Sequence, residues 1–173
     1  MNPAPDELGP APDGTEWLVI HTRPRCEKKI SGFARSRSAR IYLPLRRHER
    51  RYGSRLRVST LPLFAGYVFL CADREFRRWL SQNDYVARVI PVVDPESLLQ
   101  QLRFVHQALE SGADVEVMPY LEVGRRVRVG RGPLRGLEGF VQSRKGDTRL
   151  VVNLDLLRES VAVEVDASLL EPA

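Results

Sequence analysis

The stretch LPLFAGYVFL, residues 61–70, constrains the fold of this chain more than any other segment. Only Pro62 and Gly66 in it are neither apolar nor aromatic. Successive side chains of a strand point to opposite faces of a sheet, so apolar residues at both parities indicate a strand that is covered on both faces. We therefore expect one strand through residues 61–70, in a sheet with helices on each side.

Strand and helix patterns alternate around this segment up to about residue 111. Residues 17–21, 40–45 and 85–93 predict three further strands, and residues 46–60 predict a hairpin with a basic tip. Helical spacing of apolar residues from position 26 to 34 predicts a helix with a basic outer face. Helix-start signals at Asp73 and Asp94 predict two more helices, the second of which stops at Gly112. This order predicts an N-terminal α/β sandwich within an α+β chain.

The pattern changes to strands and turns after residue 120. Valines and leucines alternate through residues 127–129, 141, 150–154 and 161–165, with breaks at residues 130–139 and 145–147. Several short strands within some fifty residues predict a small β-barrel, and the β-branched alternation favours strand in the resting state. The expected organisation is a disordered tail (1–16), an N-terminal domain (17–111), a linker with at most a short extended piece (112–120) and a C-terminal barrel (121–173).

Positive charge is concentrated in one part of the chain. Residues 17–57 carry 13 basic residues against 2 acidic ones, whereas residues 112–173 carry 9 against 10. Such a field attracts polyanions, and nucleic acid is the first candidate. A solvated arginine-rich surface is the alternative interpretation, because 24 of the 27 cations are arginine.

The sequence offers little for catalysis or metal binding. Two cysteines do not make a disulfide framework, and no histidine or acid lies at a spacing that indicates a nucleophile with its base. A metal site built from Cys26, His21, Cys71 and His48 is a weaker alternative, because it lacks a C-x-x-C pair. We expect a protein that is not an enzyme and has no cofactor. With no signal peptide and no apolar window of about 18 residues, we also expect it to be cytoplasmic, monomeric and without a membrane partner.

Three segments in this order resemble the NusG family of transcription elongation factors: WLVIHTRPRCEKK, LPLFAGYVFL and VGRRVRVGRGPLRGLEGFV. The resemblance covers about residues 17–172. It implies a NusG-type N-terminal domain, with a mostly antiparallel sheet flanked by helices, and a KOW domain that is an SH3-like barrel. The hairpin in PLRRHERRYGSRLRVSTLPLFAGYVFL looks closer to specialised paralogues, the RfaH-like and polysaccharide-operon antiterminators, than to housekeeping NusG.

The resemblance implies that Leu63, Phe64 and Tyr67 form an apolar patch that docks on the clamp helices of RNA polymerase. Phe64 and Tyr67 have opposite strand parity, so they can share one surface only if Gly66 introduces a bulge or bend. Family members often have Pro at the position of Ala65. Burial in the core is the alternative for these aromatic side chains. Our expectation is that both rings are exposed.

The resemblance also implies nucleic-acid contacts and a second protein contact. Arg23, Arg25 and Lys28 match a region that touches the non-template DNA strand. The predicted hairpin lies beside polymerase and DNA in the family, and it carries Arg46, Arg47, Arg50, Arg51, Arg55 and Arg57. Leu156 and Leu157 match the loop that family barrels present to a ribosomal small-subunit protein or to Rho.

These expectations together describe a factor that binds RNA polymerase, suppresses pausing or termination, and recruits a second partner through the KOW domain. Two alternatives stay open. One is a general housekeeping NusG, and the other is a ribosome-type RNA-binding KOW protein. The second fits less well, because a barrel held by ribosomal RNA would be strongly basic and the C-terminal segment is not.

Overall fold

The computed structural model describes residues 8–120, 124–144 and 146–173. The chain divides into two compact units, with the boundary between Glu96 and Ser97. We call them the N unit and the C unit. Residues 1–7 of the predicted tail lie outside the described residues. So do residues 121–123 and 145 of the predicted barrel domain.

A four-stranded antiparallel sheet forms the centre of the N unit, in the order β2-β5-β1-β6. Strands β3 and β4 form a separate two-stranded antiparallel sheet, which is the predicted hairpin. The elements are β1 (Glu16–Thr22), α1 (Glu27–Ser36), β2 (Ile41–Tyr42), β3 (Leu45–Tyr52), β4 (Arg55–Pro62), β5 (Tyr67–Ala72), α2 (Arg74–Ser81) and β6 (Val86–Pro91).

Helices α1 and α2 pack on one face of this sheet. The period of two in β1 and β5 places Leu18, Ile20, Val68 and Leu70 on that face, where all four are fully buried in one cluster with side chains of both helices. Each buried side chain of this size contributes about 1.5–3 kcal/mol. Asp73 caps α2 by accepting a hydrogen bond from the backbone N–H of Phe76 at 2.7 Å, as the sequence predicts.

The opposite face of the sheet is buried as well. Trp17, Val19 and Phe69 lie there and are at most 1% exposed, so the prediction that both faces are covered is confirmed. The prediction of helices on each side is wrong for the described residues of the N unit, because α1 and α2 both pack on the first face. Leu8 is equally buried, and the Trp17 indole N–H donates to the carbonyl oxygen of Gly9 at 3.0 Å. The prediction of a disordered tail is therefore wrong from residue 8 onward, because a buried indole N–H needs a partner and the tail supplies it.

A sheet of six antiparallel strands makes up the β-rich part of the C unit, in the order β12-β8-β9-β10-β11-β7. The elements of the C unit are α3 (Pro95–Glu110, which begins two residues before the unit boundary), β7 (Val115–Pro119), β8 (Arg125–Val129), β9 (Glu138–Arg144), β10 (Asp147–Leu154), β11 (Glu159–Glu164), a short 3-10 helix (Ala167–Leu169) and β12 (Leu170–Pro172). The predicted strands are present, and the valines at 161 and 163 lie in β11 as expected. These pairings establish a β-rich C-terminal part but not the closure of a barrel.

The predicted linker at residues 112–120 contains a strand of this sheet. Val115 and Val117 of β7 lie opposite Val163 and Val161 of β11. The alternation Val115-Glu116-Val117 is long enough to pair one edge of the sheet, and this is why the segment is more than a linker.

Most of α3 also belongs to the C unit, so the predicted boundary at residue 111 differs from the structural one. Gln101 donates from its side-chain amide to the Asp155 carboxylate at 2.9 Å, and Gln107 donates to the carbonyl oxygen of Arg135 at 3.2 Å. Helical periodicity identified the buried stripe of α3, including Leu98, Leu102 and Val105. It carries no information about which sheet that stripe packs on.

Candidate functional site

A tight turn interrupts the apolar stretch that the sequence presents as one strand. Tyr67 N–H donates to the Phe64 carbonyl oxygen at 3.2 Å, and Gly66 has a φ of 85°. This is the pattern of a type II turn, in which glycine suits the third position and proline the second, here Ala65. The single strand predicted for residues 61–70 is therefore wrong. The bend at Gly66, which is the condition for Phe64 and Tyr67 to share one surface, is present.

The bend brings Phe64 and Tyr67 to the same face of the sheet, but Phe64 is buried there and Tyr67 is half-buried. The Phe64 ring packs edge-on against Phe69 of β5, with centroids 6.2 Å apart and planes at 84°. Phe64 is 1% exposed and Leu63 is 5% exposed. The expectation that these two side chains are exposed is wrong, because the turn folds Phe64 back over the buried face that carries Phe69. Tyr67 is half-buried and accessible.

Tyr67 forms an aromatic pair with His21, which the sequence suggested only as a candidate metal ligand. The two rings stack with centroids 4.9 Å apart and planes at 18°, and the residues lie opposite each other in the β1–β5 ladder. Arg88 of β6 lies opposite His21 on the other side and is exposed. A signal for His21 was present, because a period of two from Trp17 and Val19 places His21 on the same face.

A pair of substitutions tests the turn. Gly66→Ala is expected to lower the free energy of unfolding by about 1–2 kcal/mol, since a φ of 85° is strained for any residue with a Cβ. Ala65→Pro is expected to raise it by about 0.4–1 kcal/mol, because the second position of a type II turn suits proline and the unfolded chain loses freedom. Urea titration followed by tryptophan fluorescence measures both. A destabilising Ala65→Pro would contradict the type II assignment.

The basic residues predicted after the first strand lie at the same end of β1 as the aromatic pair. Arg23, Arg25 and Lys28 are all exposed. Arg25 has a φ of 63°, which is uncommon for a residue with a side chain. Arg23 and Arg25 thus present their guanidinium groups from a sharp connection between β1 and α1. Lys28 differs, because its Nζ donates to the carbonyl oxygen of Thr60 in β4 at 3.0 Å.

The predicted hairpin arginines are divided between two faces. Residues directly opposite in an antiparallel pair point to the same side, and the side alternates along each strand. The β3–β4 register pairs Arg50 with Arg57, and it places Arg46 and Arg55 on that side too. We call this the basic face. Arginines opposite each other on one side of a strand pair raise the local positive potential, which attracts anions.

The second side of the hairpin is more apolar. It carries Leu56 and Val58, which are 51% and 47% exposed, together with Arg47 and Arg51. Arg47 pairs with Glu49 at 2.7 Å, but both side chains are solvated and such a pair contributes little. The register therefore places Arg46 and Arg50 on one side of the hairpin, and Arg47 and Arg51 on the other.

The loop predicted to bind a second partner is partly buried. Leu157 is buried, whereas Leu156 is partly exposed, so only Leu156 of the two leucines is accessible. Next to them, Asp155 accepts hydrogen bonds from the Tyr120 hydroxyl at 2.8 Å and from Gln101. The hydrogen bond to Asp155 raises the pKa of Tyr120, because it stabilises the protonated phenol.

The Cys71 thiol and the candidate metal ligands complete the set of side chains that the sequence singled out. Burial raises the pKa of the Cys71 thiol to about 11, which suppresses the nucleophilic thiolate. Within residues 8–120, 124–144 and 146–173, no group of three or more His, Cys, Asp and Glu side chains is arranged to hold a metal ion. No helix in the same ranges is both long and apolar enough to cross a membrane.

Comparison with known families identifies the N-terminal part of the chain. The sheet, the turn and the basic hairpin all lie within residues 15–119, which match the NusG family model described as "Transcription termination factor nusG". The match covers more than half of the chain, so the chain belongs to the NusG family. It is therefore a transcription elongation or termination factor. Comparison with curated proteins gives no match.

Proposed function

We propose that this chain binds RNA polymerase through the N unit and suppresses pausing or termination. The observation that carries the proposal is the Tyr67–His21 pair, which is accessible at the end of β1 from which Arg23 and Arg25 also project. Aromatic side chains make rigid anchors of large contact area at protein interfaces. The neighbouring guanidinium groups suit phosphates and unpaired bases. The docking partner is the clamp helices of the polymerase, and the non-template DNA strand lies beside them.

The factor acts by differential binding and not by catalysis. It stabilises the elongation-competent state of the polymerase over the paused state, by as much as its affinities for the two states differ. A factor that bound both states equally would shift nothing. The hairpin lies along the DNA with its basic face and helps to bridge the polymerase cleft. The protein works in the cytoplasm, as a monomer.

We assign the C unit sheet to an SH3-like KOW barrel that recruits a second protein. The accessible contact in the loop after β10 is Leu156, and the partner is a ribosomal small-subunit protein or Rho. The near-neutral charge of residues 112–173 argues against a ribosome-type RNA-binding role. The arginine-rich hairpin favours a specialised antiterminator of the RfaH-like or polysaccharide-operon kind over a general NusG. Genome-wide chromatin immunoprecipitation separates these two: occupancy at one or a few operons is expected, and occupancy at most genes indicates a general factor.

Binding to core RNA polymerase tests the docking surface. Tyr67→Ala and His21→Ala are each expected to weaken binding about tenfold, the effect of a moderate interface anchor. Phe33→Ala is the control, because Phe33 is an exposed aromatic side chain of the same unit on α1. Affinities are measured by biolayer interferometry with variants that melt cooperatively. Unchanged affinity of Tyr67→Ala, or an equal loss in Phe33→Ala, would rule out the aromatic pair as the anchor.

A further inference from the structure

A buried carboxylate holds the turn on which Tyr67 is mounted. Glu27 is the first residue of α1 and is 7% exposed. Its Oε1 accepts a hydrogen bond from the backbone N–H of Gly66 at 2.7 Å. The carbonyl oxygen of Gly66 in turn accepts from the backbone N–H of Thr22 at 2.7 Å. Both backbone polar groups of Gly66 are thus held, one by α1 and one by the end of β1.

These two hydrogen bonds adjoin the aromatic pair in sequence and in space. Gly66 precedes Tyr67, and Thr22 follows His21, so the bonds fix the backbone at both rings. The turn also lies close to the imidazole, since a Cβ built on Gly66 would be 3.4 Å from Cδ2 of His21. A shift of the turn therefore moves Tyr67 relative to His21.

A buried carboxylate adds little to the free energy of unfolding, because the cost of removing its charge from water offsets much of the energy gained from its hydrogen bonds. It is a good device for geometry, since a charge-assisted hydrogen bond is short and strong. The position at the start of α1 also favours a negative charge, and Cys26 at the N-cap makes no side-chain hydrogen bond to the helix.

We infer that Glu27 is a positioning residue for the polymerase-docking surface: it holds the Gly66 turn so that the Tyr67 ring stacks on His21. This inference rests on the proposed function for its consequence, which is polymerase affinity. It does not rest on that function for the geometry itself, so the two can be tested separately.

Two substitutions in the full chain separate the reach of the side chain from its charge. Glu27→Gln keeps an oxygen acceptor at the same distance and removes the charge. Glu27→Asp keeps the charge and is one methylene too short to reach Gly66. Asp73→Ala is the matched control, because it also removes a carboxylate that accepts from a backbone N–H, but at the start of α2. Nuclear Overhauser contacts between the Tyr67 and His21 rings report the geometry, and biolayer interferometry reports affinity for core RNA polymerase.

The expected result is that Glu27→Asp loses the ring contacts and binds about tenfold more weakly, the effect of one hydrogen bond to a charged group. Glu27→Gln is expected to keep the ring contacts, because an oxygen acceptor stays within reach of Gly66, and to lose less affinity than Glu27→Asp, since only the charge assistance of the bond is removed. Asp73→Ala is expected to keep both the ring contacts and an affinity close to that of the parent chain. Ring contacts that persist in Glu27→Asp overturn the inference, and so does an affinity loss shared with Asp73→Ala. If the parent chain itself fails to bind polymerase, the proposed function fails, and the ring contacts still decide the role of Glu27 in geometry.

Discussion

Phe64→Ala is expected to lower the free energy of unfolding of the N unit by about 3–5 kcal/mol, the usual cost of removing a buried phenylalanine ring. The Phe64 ring is 1% exposed and packs edge-on against Phe69, which is itself fully buried. Truncation removes the apolar surface and leaves a cavity that the turn and the sheet can close only in part. A domain of this size has about 5–15 kcal/mol of stability in total, so the loss is a large share.

Tryptophan fluorescence during urea unfolding measures this loss in the right unit, because both tryptophans, Trp17 and Trp79, lie in the N unit. Tyr67→Ala is the matched control, since it removes an aromatic ring from the same turn at a half-buried position. Its expected cost is about 1 kcal/mol. A cost below about 1 kcal/mol for Phe64→Ala would show that the ring is accessible and restore it as a candidate anchor.

The same comparison separates two reasons for weak polymerase binding. Phe64→Ala should bind poorly only to the extent that the N unit is unfolded, so its affinity recovers at temperatures well below its melting point. Tyr67→Ala should bind poorly even when fully folded. The two aromatic residues of one turn thereby distinguish a loss of fold from a loss of contact.

The sequence predicted the strands and helices of the N unit well where a single local rule applies. The short apolar run WLVIH gives β1, and Asp73 marks the start of α2. It failed at LPLFAGYVFL, where an uninterrupted apolar run conceals a turn. The turn depends on the positive φ of Gly66, and the residues beside Gly66 do not indicate that conformation. With Ala65 at the position where family members often have proline, the usual signature of a type II turn is incomplete.

The boundaries of the two units were harder to predict than their elements. Helical spacing in α3 and alternation in β7 identify buried positions, but both are local patterns. Which sheet these residues join depends on hydrogen bonds between distant residues, such as the one between Gln101 and Asp155. A single sequence contains no direct signal for such pairings.

The candidate site shows the same division between local and distant information. The sequence identified the apolar segment and the basic hairpin, but it could not decide which of Phe64 and Tyr67 faces solvent, because both are aromatic. The direction of the turn decides it. His21 was not selected as a docking residue because a lone histidine carries no motif, although its register with Tyr67 makes it half of the accessible pair. The division of the hairpin arginines likewise follows from the β3–β4 register and not from their number.

Replacing Arg46, Arg50 and Arg57 of the basic face by Gln is expected to weaken DNA binding roughly 100-fold at low salt. Each lost phosphate contact also lowers the slope of log affinity against log salt concentration by about one, so the slope should fall by about three. The three arginines lie on one side of a two-stranded ribbon, and one polyanion can therefore meet them together. Fluorescence anisotropy with a labelled DNA strand, titrated between about 50 and 200 mM salt, measures both quantities.

The control variant replaces three exposed arginines of the C unit, Arg125, Arg131 and Arg135, by Gln, which changes the net charge of the chain by the same amount. If binding depended on net charge alone, the two variants would lose affinity equally. A larger loss in the hairpin variant assigns the contact to the basic face, because a local field falls off within a Debye length of about 10 Å at 0.1 M salt. An equal loss in both variants would instead support the alternative interpretation, in which the hairpin is a solvated surface and its arginines act through solubility.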